Sequence, residues 1–175
     1  MNRKTLYLVH AAVIAALYVV LTFLANALGL SSGIIQVRFS EALTILPYFT
    51  PAAIPGLFVG CILANMLTGC MPLDVLFGSL ATLLGALGTW FLCGRPQRGT
   101  SPKAPSNSSR LLAPLPPIIS NTLIVPFVLA YVYQFEGSIP YFMLTVGIGE
   151  VISCGVLGLI LLNVLQPYRK HLFIS

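Results

Sequence analysis

Long apolar runs separated by short polar breaks dominate the chain. The first runs from Leu6 to Leu30 behind a basic Arg3-Lys4 start, and a short mixed stretch, Ile34 to Phe39, carries Gln36 and Arg38. Glu41 to Leu67 follows as 27 residues with Pro47, Pro51 and Pro55 inside. The later runs are Leu73 to Leu92, Leu115 to Phe135 and Ile139 to Leu165. A helix needs about 20 apolar residues to cross hydrocarbon, so the pattern predicts an all-α integral membrane protein. Cys93 to Ala113, rich in Pro, Ser and Gly with four basic residues and no acidic one, reads as a flexible loop.

Glu41 to Leu67 fits either one kinked span or a tight helical hairpin turning at Thr50-Pro51. With one span (five in all), the 93–113 loop and the C-terminus both face outward, carrying six of the nine basic residues. With a hairpin (six in all), Arg3, Lys4, Arg95, Arg98, Lys103, Arg110, Arg169 and Lys170 are all cytoplasmic, and only Arg38 lies outside. The positive-inside bias favours six spans with both termini in the cytoplasm. The expected single domain, 1–175, has spans near 6–28, 41–50, 52–67, 73–92, 115–135 and 139–165. Ala25-Asn26-Ala27 has the form of a signal cleavage site, but the preceding run exceeds the roughly 7–15 residues of a signal core, so a retained first helix is expected.

Composition agrees. Hydrophobic residues make up 57% of the 175, charged residues 7%, and mean hydropathy is +0.94; a soluble domain carries about a quarter charged residues. The net charge of +5 is spread over the breaks between runs, which argues for a topology signal and against a nucleic-acid surface. Cys61, Cys70, Cys93 and Cys154 show neither disulfide-framework nor zinc spacing.

Ionisable residues inside spans point to function. Glu150, about eleven residues into the last span, falls near the membrane midplane at 1.5 Å per residue, far from any helix end or basic neighbour in sequence. Arg38, Glu41, Asp74 and Asn65 fall at the outer ends of their spans. Blander roles compete there: Ser40 can cap a helix whose first turn holds Glu41, Asp74 also suits a helix start, and Arg38 can simply pair with Glu41. Asn121 suits a helix-to-helix hydrogen bond as well as a ligand contact. Ala11/Ala15 and Ala12/Ala16 on the first helix, and Gly56/Gly60 on the third, form small-xxx-small pairs that permit close helix approach. No nucleotide-binding loop, nucleophile motif or metal-ligand spacing is present, so no catalytic residue, metal or cofactor is expected.

The stretches SEALTILPYFTPAAIPGLFVG (40–60), PLDVLFGSLATLLGA (72–86) and APLPPIISNTLIVP (113–126) resemble the queuosine-precursor transporter (QueT) family. The likeness covers nearly the whole chain except the 93–113 loop, which is longer and richer in Pro and Ser than the family pattern. The resemblance implies a six-helix substrate-binding S component of an energy-coupling-factor (ECF) importer in a prokaryotic plasma membrane. Its partners would be a transmembrane T protein and two ATPases, with Ala11, Ala12, Ala15 and Ala16 docking the T protein.

The implied substrate is a 7-deazaguanine such as 7-aminomethyl-7-deazaguanine. One carboxylate can accept the guanine-type edge in bidentate fashion and a second can pair the cationic aminomethyl group. Glu150 and Glu41 are assigned to these two tasks in either order, with Asp74 and Asn65 in support. Tyr48 or Phe39 would stack on the base, and Arg38 would gate the site or balance Glu41. Rival readings are an S component for another small ligand, a membrane assembly protein whose carboxylates pair internally, and a secondary transporter with Glu150 as proton relay.

Overall fold

Asn2 opens the first helix, its side chain accepting a hydrogen bond from the Lys4 amide at 3.4 Å. A computed structural model describes residues 2–31, 35–94 and 107–172. Helix α1 (Arg3–Ala27) stops at Gly29, whose φ of +71° suits a residue lacking Cβ. Gly29 N donates to Asn26 O at 2.9 Å and Leu30 N to Ala25 O at 3.0 Å, the Schellman pattern that satisfies the last carbonyls. Ile14, Ala15, Tyr18 and Ala25 face inward, and Leu8, Val13, Leu17 and Val20 face outward.

Phe39–Tyr48 is a 3-10 helix, buried at Ser40, Glu41 and every residue from Leu43 to Tyr48. The chain turns over Phe49–Ala52, with Phe49 N and Thr50 N both bonded to Leu46 O, and enters α2 (Ala53–Leu67). α2 packs tightly on α1: a Cβ at Gly56 would lie 2.7 Å from Ala11 O, and one at Gly60 would lie 2.8 Å from Tyr18 Cβ.

Helix α3 (Pro72–Thr89) continues through the π-type turn Trp90–Gly94. After α4 (Asn107–Leu112), α5 (Leu115–Tyr131) lies against α3, where a Cβ at Gly85 or Gly88 would come within 2.6 Å of Pro117 or Pro116. Helix α6 (Ile139–Glu150) widens into a π-helical stretch, Val151–Leu157. It then returns to α geometry as α7 (Gly158–Leu165), followed by a 3-10 turn and α8 (Arg169–Leu172). Every described element is helical. Among the described residues, four helices are long and apolar enough to cross a membrane: Arg3–Ala27, Pro72–Gly94, Ser109–Tyr131 and Ile139–Tyr168; Ala53–Leu67 is shorter.

Two sequence expectations change. The segment near 41–50 is 3-10, not α, because Pro47 withholds an amide donor and the tighter helix carries ten residues about 20 Å at ~2.0 Å each. The loop expected over 93–113 is helical at both ends: α3 runs to Gly94, α4 fills Asn107–Leu112, and Ala113 is fully buried. There Thr89 Oγ1 donates to Ala113 O at 2.9 Å. Arg95, Arg98 and Lys103 lie outside the described residues.

Candidate functional site

A 3-10 helix repeats every three residues, so Glu41 and Thr44 share one face of the Phe39–Tyr48 segment, which Arg38 precedes in extended conformation. That face meets α5 and the π-helical stretch. Together they close a cavity of about 20 Å³ lined by Gln36, Arg38, Glu41, Gly78, Thr82, Asn121, Val125, Val146 and Glu150. Residues far apart in sequence thus converge on one polar pocket inside an apolar bundle.

Glu41, 2% exposed, is held at both oxygens. The Tyr18 hydroxyl donates to Oε1, and Asn121 Nδ2 donates to Oε2 at 3.3 Å. Glu150 Oε2 accepts from Cys154 Sγ at 3.1 Å. Cys154 sits one helical turn on, inside the π-helical stretch, and also lies 3.3 Å from Thr44 Oγ1. Glu41, Glu150 and Cys154 offer ligand atoms within 4.8 Å of one another. The protein's own donors engage each of them, and Arg38 lines the same cavity, so the trio fits a hydrogen-bonded polar network better than a cation site. Arg38 is within electrostatic reach of Asp74 and Glu41 and donates to Gln36 Oε1 at 3.4 Å.

The extended segment Gln36–Arg38 covers the cavity. Arg38 N donates to Ser153 Oγ at 3.1 Å, and the Gln36 carbonyl lies where a Cβ on Gly149 would stand. The cavity has room for about one water. Gly149→Ala is expected to force the Gln36–Arg38 segment away from α6. Overpacking of this kind costs about 1–3 kcal/mol, read as a lowered thermal midpoint of the purified protein in detergent; an unchanged midpoint would show that the contact is loose.

The remaining expected site residues lie elsewhere. Asp74 is buried outside the cavity wall, accepting from the Tyr133 hydroxyl at 2.8 Å, which ties the start of α3 to the α5–α6 connection. Asn65 stands just behind the wall, its Nδ2 3.2 Å from the Cβ position of cavity-lining Gly78 and donating to Cys61 Sγ at 3.6 Å.

Phe39 is half-buried but falls off the face that carries Glu41 and Thr44. Tyr48 is buried against Phe49, ring centroids 5.0 Å apart, with Cys93, Arg110 and Arg169 as electrostatic neighbours. Seven residues of 3-10 rise, about 14 Å, separate Tyr48 from Glu41. Neither ring lines this cavity. Ala11 and Ala15 are likewise taken up by internal packing on α2, whereas Ala12 and Ala16 are exposed.

Sequence reasoning missed Tyr18, Gln36, Thr82 and Cys154. Tyr18 alone carried a signal, as a hydroxyl at the middle of the first apolar helix.

The QueT transporter family matches residues 8–167. The queuosine precursor transporter QueT of Lactococcus lactis subsp. cremoris (strain MG1363) is 38% identical over 83 residues, 47% of this chain and 48% of that protein. The similarity therefore spans about half the length of that curated relative. No solved structure matches the chain. The family match covers nearly all the spans and every cavity residue, and on it the chain belongs to the QueT transporter family.

Proposed function

We propose that the chain is the substrate-binding S component of an ECF-type importer and captures a queuosine precursor, a 7-deazaguanine such as 7-aminomethyl-7-deazaguanine. The observation that carries this reading is the pairing of two buried carboxylates, Glu41 and Glu150, in one cavity with Arg38 and Asn121. A 7-deazaguanine offers a donor pair on its ring edge, and its aminomethyl form adds a cation; two carboxylates answer both. The curated relative's name points to the same substrate class.

In this reading the 3-10 helix and α2 form the second and third of six membrane passes, and both termini face the cytoplasm of a prokaryote. α2 contributes fifteen residues, about 22 Å at 1.5 Å each, short of the ~30 Å hydrocarbon core. Burial of the 3-10 helix among its neighbours supplies the shelter that such irregular backbone needs. The exposed Ala12/Ala16 face of α1 docks a transmembrane T protein, and two partner ATPases supply the energy.

The test is titration of the purified protein with 7-aminomethyl-7-deazaguanine, 7-cyano-7-deazaguanine, queuine and guanine. Tight binding of at least one deazaguanine, with guanine weak, is the expected result. A folded protein that binds none of them would take away the substrate and leave only the membrane architecture.

A further inference from the structure

The two carboxylates of the cavity are not equivalent. Glu41 is clamped by two donors on separate helices, the Tyr18 hydroxyl of α1 at Oε1 and the Asn121 amide of α5 at Oε2. A carboxylate has about four acceptor positions, so this clamp leaves one lone pair on each oxygen at a fixed angle. That remainder matches a ligand edge carrying two adjacent N–H donors. Glu150 has a weaker hold: it shares the Asn121 amide with Glu41, and its own donor, Cys154 Sγ, is a thiol, a weak donor that a charged ligand group displaces cheaply. The Glu150 backbone lies where α6 gives way to the π-helical stretch.

We infer that Tyr18 is a positioning residue that, with Asn121, presets Glu41 for the ring edge, and that Glu150 reads the charge of the 7-substituent. The inference rests on the reading of the chain as a queuosine-precursor binder and divides the work within that site. Tyr18 is 1% exposed and sits beside the tight α1–α2 contact at Gly60, so its hydroxyl is delivered by a rigid support.

The experiment measures binding of 7-aminomethyl-7-deazaguanine, a cation, and 7-cyano-7-deazaguanine, its neutral counterpart, to the wild type, Tyr18→Phe, Glu150→Gln and Glu41→Gln, with thermal midpoints as the folding control. Tyr18→Phe is expected to weaken both ligands by a similar factor, about tenfold or more for a charge-assisted bond. It should add little to the loss already caused by Glu41→Gln in the double variant. Glu150→Gln is expected to weaken the amine by about tenfold or more while sparing the nitrile.

Equal losses of both ligands in Glu150→Gln, or additive losses in the Tyr18/Glu41 double variant, would overturn this division while leaving the substrate class standing. If the wild type binds neither ligand, the underlying reading fails and this assignment fails with it.

Discussion

Replacing Ala12 and Ala16 together by leucine is expected to reduce uptake by cells to background while leaving ligand affinity of the purified protein unchanged. Both alanines are exposed on α1, beside the outward Leu8, Val13, Leu17 and Val20, so added bulk meets no internal neighbour. A face of small residues lets another membrane helix approach closely, and two leucines would hold it off. The serine pair at the same positions keeps the face small and is expected to keep uptake. Normal uptake in the leucine variant would make this a plain lipid-facing surface and remove the T-protein docking proposed for it.

The converse is expected at Gly60. Gly60→Leu should destabilise the protein by about 3 kcal/mol or more, at the upper end of overpacking costs, and should abolish ligand binding as well. A first side-chain carbon there would stand 2.8 Å from Tyr18 Cβ and 3.0 Å from Ala15 Cα. Relief requires α1 and α2 to part, which withdraws the Tyr18 hydroxyl from Glu41. The measurement is thermal unfolding in detergent alongside ligand titration. A variant with wild-type midpoint and affinity would show that the α1–α2 seam is compliant and that Tyr18 is not held by it.

These two substitutions separate small residues that look alike in the sequence. Ala11, Ala12, Ala15 and Ala16 form one uninterrupted small-xxx-small signal, and spacing alone does not say which pair serves the inside. The glycines of α2 decide it: Gly56 and Gly60 press on Ala11 and Ala15, turning Ala12 and Ala16 outward. Partner choice between helices is a tertiary fact, because each small face is equally able to receive any close neighbour.

Phe39 and Tyr48 stand off the cavity wall for a related reason. Phe39 and Tyr48 flank Glu41 in the sequence, and an α-helical or loose hairpin reading leaves both within reach of a ligand. The segment winds as a 3-10 helix, whose three-residue repeat keeps Glu41 and Thr44 together and turns Phe39 and Tyr48 off that face. Tyr48 ends up buried, with Arg110 and Arg169 as its charged neighbours.

What the sequence determined by itself was the solvent and the chemistry. Runs of apolar residues near bilayer length, with charges confined to the breaks, leave lipid as the main surroundings. A carboxylate at Glu150, with no helix end or basic neighbour to account for it, marks a polar site within that bilayer. The tertiary structure alone decided which residues meet there. Tyr18, Glu41, Asn121 and Glu150 come from α1, the 3-10 helix, α5 and α6, and only packing of those four elements sets Asn121 between the two carboxylates and gives Glu41 a phenol donor where Glu150 has a thiol. Hydropathy reports how much of each segment is apolar. It does not report the rotation of one helix against another, and that rotation settles which polar atoms share a cavity.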